Sequence, residues 1–263
     1  MGRDLVVVGA SAGGVEALRE LASALPPDLP ATVVVVLHRP ASRPSALASI
    51  LDRSGPLPAL DVRDGTPLRH GHIEVARPDH HVVVQSDRLR LSDTPAENGH
   101  RPAVDVLFRS AARARGPATI GVILTGAMDD GTAGMATIKS EHGLAVVQSP
   151  SDALCPGMPE SVLRHVEVDH VVPVARMGAL LARLVRDDEA SGPTPELERA
   201  LWTALRTLDE KAALARRMKR QSREIGHFLV AERCDRQEEE ALAAADVLRK
   251  HLLRGGAREE TVT

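Results

Sequence analysis

Unbroken apolar runs alternate along most of the chain with stretches whose apolar residues recur at helical spacing. The first run, Val6-Val7-Val8, ends in the small residues Gly9-Ala10-Ser11-Ala12-Gly13-Gly14. It then passes into Val15-Glu16-Ala17-Leu18-Arg19-Glu20-Leu21, so the pattern predicts strand, tight turn and helix. Residues 32–37 are apolar apart from Thr32, as expected of a strand covered on both faces, and end at His38-Arg39-Pro40. Further strands are predicted at 120–124, 144–147 and 168–172, and helices at 44–53, 104–115, 132–141, 159–165 and 177–186. In helix 104–115, Val104, Leu107, Phe108 and Ala111 share one face. Between Pro56 and Leu91 the pattern breaks into short runs at 59–61, 73–76, 82–84 and 89–91, expected as hairpin or edge structure, and 93–102 is a polar loop.

This alternation predicts an α/β fold: a doubly wound, mainly parallel sheet with right-handed crossovers, an inserted antiparallel hairpin region and a C-terminal helical arm. The expected organisation is an α/β domain over 1–187, a polar linker over 188–195, the arm over 196–254 and a disordered tail over 255–263. No proline interrupts 196–253, where Leu201, Leu205, Leu208, Ala212 and Leu214, then Leu242, Ala245, Leu248 and Leu252, fall near helical spacing. A break near Gly226 makes this a hairpin or coiled-coil-like arm.

Composition narrows the function classes. The 263 residues suit one sizeable domain plus an appendage, and 43% hydrophobic with 26% charged content is ordinary for a soluble protein. No apolar run is long enough to cross a bilayer and no leader-like stretch precedes the first strand, so a cytoplasmic location is expected. Cys155 and Cys234 lie far apart and are expected to be reduced. A net charge of -3, no Tyr, two Phe and one Trp argue against nucleic acid, because bases have almost nothing to stack on.

Ligands of open α/β sheets bind beyond the carboxyl ends of the strands. Ser11, His38 and Asp130 each follow such an end, and they are a nucleophile, a base and an orienting carboxylate. Asp129 competes with Asp130 for the last role. The N–H groups of Ala12 and Gly13, with Gly14 beside them, sit where an oxyanion hole at a helix N-terminus would lie. Dinucleotide binding is the main rival. Ser11 occupies the second glycine of G-x-G-x-x-G, and the short-chain dehydrogenase turn that Gly9–Gly13 is similar to brings a catalytic tyrosine, which this chain lacks. His70, His72, His80 and His81 have no acidic or cysteine ligand at recognisable spacing and are expected to be ordinary loop and strand histidines rather than a metal site. Cys155 is expected to be inert, and Asp105 to be an N-terminal charge of its own helix.

Five pieces together resemble one family, the chemotaxis protein-glutamate methylesterases with a CheB-type catalytic domain. They are Gly9–Gly14, His38, His100-Arg101-Pro102-Ala103-Val104-Asp105-Val106-Leu107-Phe108, Leu124–Met135 and Pro156-Gly157-Met158-Pro159. The resemblance spans about 5–184. It implies hydrolysis of glutamate methyl esters, and deamidation of glutamines, on the cytoplasmic helices of chemoreceptors or a similar methylated signalling protein. The family's nucleophile falls on Ser11, its histidine on His38 and its aspartate on Asp130, with oxyanion donors near Ala12 and Gly13. No cofactor or metal is implied. Two departures stand out: Ala12 replaces a common threonine, and Ala127 a common methionine, with Met128 next door. The first strand begins at Leu5, so control by an intrinsic phosphoacceptor domain is not expected. The arm is expected to dock a methyltransferase or other signalling partner, or to form a homodimer. The alternative reading is a catalytically silent scaffold that binds partners through that arm.

Overall fold

The computed structural model of the chain describes residues 2–39, 46–190, 195–224 and 227–256. It divides into two compact units, Met1–Ala190 and Ser191–Thr263. In chain order the first unit contains β1 (Leu5–Ala10), α1 (Gly14–Ala24), β2 (Thr32–Leu37), α2 (Leu47–Asp52), β3 (Ala59–Asp61), β4 (Thr66–Pro67), β5 (His72–Val75), β6 (His81–Gln85) and β7 (Arg88–Ser92). It continues with α3 (Val104–Arg115), a short 3-10 turn, β8 (Thr119–Ile123), α4 (Thr132–Ser140), β9 (Leu144–Gln148), α5 (Gly157–His165), β10 (His170–Val172) and α6 (Val174–Ala190).

Seven strands form a parallel sheet in the order β10-β9-β8-β1-β2-β5-β3. β1, β2 and β8 are buried along their whole length, which is why their sequences run apolar without alternation. Alternate side chains feed two cores. Val6, Val8, Val33 and Val35 pack with α1, α2 and α6, whereas Leu5, Val7, Val34 and Val36 pack with α3, α4, α5 and the smaller sheet. The chain winds outward from β1 toward β2 and later returns to its other side at β8. The order therefore reverses beside β1, the position where doubly wound sheets open a crevice.

The region expected as hairpin or edge structure supplies both. β3 and β5 extend the parallel sheet, while β4, β7 and β6 form an antiparallel sheet of their own. β5 is buried on both faces and accommodates Glu74 only through Arg69, whose Nη2 donates to Glu74 Oε1 at 2.8 Å. β10 is shorter than its apolar pattern suggests. Asp169 spends its carboxylate on the Ala145 N–H at 2.7 Å and on Lys139 Nζ at 2.7 and 2.8 Å, ahead of the first paired residue. α6 continues to Ala190, past the start of the polar segment, since no proline or glycine interrupts it there. In α2 the expected first residues, 44 and 45, lie outside the described residues.

The second unit contains α7 (Pro195–Glu224) and α8 (Phe228–Gly256). Leu205, Ala212, Ala215 and Ser222 are buried along α7, and Ala231, Cys234, Ala241 and Ala245 along α8. The spacing is that of heptad positions a and d, with small residues that let the helices approach closely. Leu208 and Leu248 pack against Leu205 and Ala245. Lys219 pairs with Asp235, and Arg216 Nε donates to Glu238 at 2.7 Å. Leu214 and Leu242, expected in the apolar stripe, are instead exposed, because the seven-residue repeat puts alanines in the seam on either side of them. The side chains of Leu201 and Leu252, and residues 257–263 of the expected tail, lie outside the described residues. Among the described residues no helix is long and apolar enough to cross a membrane.

Candidate active site

Ser11 stands one residue past β1 and His38 one residue past β2. The Ser11 N–H donates to the Thr125 carbonyl at 3.0 Å, and the His38 N–H to the Ala10 carbonyl at 3.1 Å, so strand-like pairing holds both backbones. The turn after Ser11 closes when the Gly14 N–H donates to the Ser11 carbonyl at 2.9 Å, which removes Gly14 from the donors considered from sequence. Gly13 caps α1 at φ 76°, in the left-handed region, where an added Cβ would also meet Leu154 at 2.9 Å. Thr125 ties this turn to its neighbours: its Oγ1 donates to the Ala12 carbonyl at 2.9 Å and accepts from the Cys155 N–H at 2.8 Å. Cys155 takes part through its backbone.

The loop after β8 brings Asp130 to His38. Nε2 of His38 donates to Asp130 Oδ2 at 2.6 Å, with side chains only 4% and 2% exposed. The same Oδ2 accepts the Val104 N–H at 2.7 Å; Oδ1 accepts the Asp105 N–H at 3.1 Å and the Asn98 amide at 3.0 Å. The carboxylate thus receives the first free N–H groups of α3, at the positive end of that helix. Burial, the largest single influence, pushes the Asp130 carboxyl up. The hydrogen bonds from His38, Val104 and Asn98 more than offset it and lower the group to about 2. An ionised Asp130 only accepts, so the proton between the two lies on Nε2 of His38. Nδ1 of His38 is buried and has no hydrogen-bond partner among the described residues. Asp129, its competitor in sequence, is exposed.

Asp105 lies in the first turn of α3, where the sequence expects an N-terminal charge, and its carboxylate also reaches across to α4, accepting the Gly134 N–H at 2.6 Å and the Asn98 amide at 2.9 Å. Burial pushes its carboxyl above the usual range. Asn98 therefore bridges two buried carboxylates, and the sequence reading missed it. The available signal was the Asn98-Gly99 dipeptide. Their φ values of 53° and 77°, with reciprocal Glu97–His100 backbone hydrogen bonds of 3.0 and 2.9 Å, make a tight two-residue turn. Glu97 is anchored to α3 by Arg109 through two contacts of 2.7 Å, and the His100 ring stacks on His38.

Ser11, His38, Asp79, Gly99, His100 and Arg101 line a cavity of about 600 Å3. Three histidines of the hairpin region have separate occupations. His81 is buried between the Ala103 N–H at 3.2 Å and the Pro95 carbonyl at 3.1 Å, His72 contacts the His70 carbonyl, and His80 the Pro78 carbonyl. Met128 is 72% exposed, at φ 67°.

Residues 6–181 match the family model described as CheB methylesterase. A protein-glutamate methylesterase/protein-glutamine glutaminase of Myxococcus xanthus is 38% identical over 188 residues, covering 70% of this chain and 54% of that protein. Another, from a Nocardioides species, is 38% identical over 201 residues, covering 74% and 55%. The chain thus spans about half the length of the curated relatives it matches. Among solved structures, the Thermotoga maritima CheB methylesterase catalytic domain superposes with a TM-score of 0.67 at 32% identity, covering 70% of this chain and 100% of that one. On the sequence match, the sheet order and the strand-end constellation together, the chain belongs to the CheB methylesterase family.

Proposed function

We propose that the chain is a serine-type protein-glutamate methylesterase that also deamidates glutamine. Ser11 is the nucleophile, His38 the general base and Asp130 the carboxylate that orients it. The observation that carries this reading is the 2.6 Å contact between His38 Nε2 and Asp130, which leaves Nδ1 as the nitrogen that can take a proton, on a residue that lines one cavity with Ser11. Nδ1 takes the Ser11 proton as Oγ attacks the γ-carbonyl of the ester. The N–H groups of Ala12 and Gly13, at the positive end of α1, hold the oxyanion. Asp130 stabilises the imidazolium, which returns its proton to the departing methoxide. Methanol leaves and a glutamyl–Ser11 ester remains. His38 then activates water, which frees the glutamate carboxylate and restores Ser11. A glutamine substrate follows the same course with ammonia leaving, and neither reaction needs a cofactor.

The substrate in this reading is a methylated chemoreceptor, or a similar methylated signalling protein, reached from the cytoplasm. The arm is the docking or dimerising element: two helices joined through a seam of mostly small residues leave Leu214, Met218 and Leu229 outside it. Methanol release from a methylated receptor fragment tests the activity. Wild type should release methanol, and Ser11→Ala should lose at least about a thousandfold in rate. Equal release by the two would overturn Ser11 as nucleophile.

A further inference from the structure

We propose that His100 is a positioning residue of this reaction: its ring, stacked face to face on His38, fixes the plane in which the catalytic imidazole meets Ser11 and keeps water off its face. The proposal rests on the esterase reading above. The two ring centroids are 3.6 Å apart and their planes differ by 9°. Asp130 holds one edge of the His38 ring and His100 covers a face, so two of the ways in which the ring could tilt are closed. Flipping the His38 ring would put Cε1 where Nε2 meets Asp130 and break that bond, and tilting the ring out of its plane toward His100 would require His100 to move.

His100 is itself held. It closes the Glu97–His100 turn through backbone hydrogen bonds in both directions. The preceding residue but one, Asn98, is bonded to both Asp130 and Asp105, and Glu97 is clasped by Arg109. One short turn therefore touches both members of the His38–Asp130 pair, Asn98 at the carboxylate and His100 at the imidazole. Burial first, then the neighbouring His38 charge, hold His100 below the usual histidine range, which keeps the ring neutral. A neutral aromatic face is a compatible neighbour for the imidazolium that forms when Ser11 gives up its proton; a second cation there would oppose it. His100 also lines the cavity beside Ser11, so both a stacking role and a substrate contact have to be tested.

Steady-state methanol release from the methylated receptor fragment separates these roles, using the full chain as wild type, His100→Ala, His100→Phe and Ser11→Ala. His100→Ala should lower kcat about tenfold or more while KM stays within about twofold, because the ring positions a catalytic group rather than binding substrate. His100→Phe, which restores a flat ring but no ring nitrogen, should recover kcat to within about threefold of wild type. If His100→Ala does not fold, judged by its thermal transition, His100→Leu supplies an apolar but non-planar comparison with Phe. Wild-type kcat in His100→Ala, a loss carried by KM alone, or a Phe variant no better than the non-planar one would each overturn the proposal. If wild type and Ser11→Ala release methanol at the same rate, the esterase reading itself fails and the proposal falls with it.

Discussion

Asp130 sits at 2% exposure with its charge intact because four donors converge on it. That has a consequence for stability. A carboxyl lowered to about 2 in the folded protein, against about 3.9 unfolded, stabilises the fold by about 2–3 kcal/mol at neutral pH. The contribution is fully present above the unfolded value and is lost as pH falls through about 2. Denaturant midpoints measured from pH 5 downward should therefore decline faster for wild type than for Asp130→Asn. Parallel decline would show that the folded carboxyl is not depressed. Asp105 acts in the opposite sense: its raised carboxyl takes up a proton more readily in the fold, so its ionisation as pH rises opposes folding. The strand-end places of Ser11, His38 and a carboxylate after β8 were legible in the sequence because each follows an apolar run that ends abruptly. The choice between Asp129 and Asp130 was not, since adjacent residues in a loop point in different directions and only the fold decides which faces His38. Asn98 was hidden for a related reason, and His100 stood out only as the first residue of a family-like stretch, with no role attached. Their partners are distant in sequence, and the one local sign was a dipeptide that favours a tight turn.

Among the elements, β1, β2 and β8 carry the site, and their buried runs make them the easiest parts of the chain to read. The turn between β1 and α1 is more demanding. Gly13 combines a left-handed backbone with a close approach to Leu154, so Gly13→Ala should destabilise the protein by about 1–3 kcal/mol and lower activity by moving the proposed Ala12 and Gly13 donors. Chemical denaturation and methanol release on the same variant check both; wild-type values for each would mean that the turn tolerates a side chain. α3 and α4 show why helix ends belong to the site. The first N–H groups of α3 serve Asp130, an N–H in the first turn of α4 serves Asp105, and Asn98 joins the two carboxylates. β3, β5, β6 and β7 were legible as strands but not as members of a particular sheet, and the two-residue β4 was not expected. Short apolar runs look alike whether they pair with a parallel core strand or with a hairpin partner, and β5 joins the larger sheet by burying Glu74 against Arg69.

At the scale of the whole chain, the α/β unit encloses two cores, one on each face of its sheet, and every proposed catalytic group lies within it. Residues 1–190 produced alone should accordingly unfold in one cooperative transition and keep methanol release within a few-fold of the full chain, as activity and denaturation assays can show. Loss of folding in that fragment would mean that α7 and α8 complete its core. The arm's coiled-coil character was readable from its composition and helical spacing. Its seam was readable in part: Leu205, Leu208, Ala212, Ala245 and Leu248 lie in it, whereas alanines take the places that the more apolar Leu214 and Leu242 were expected to share.

In the proposed mechanism Ser11 forms a covalent glutamyl ester during turnover. The most direct measurement is rapid acid quenching of wild type with a glutamyl methyl ester substrate, followed by mass spectrometry of the peptide that contains Ser11. A glutamyl adduct should accumulate on Ser11 before steady state and be absent from Ser11→Ala, whose turnover is at least about a thousandfold slower. Methanol release without any adduct, with Ser11→Ala as active as wild type, would contradict that mechanism.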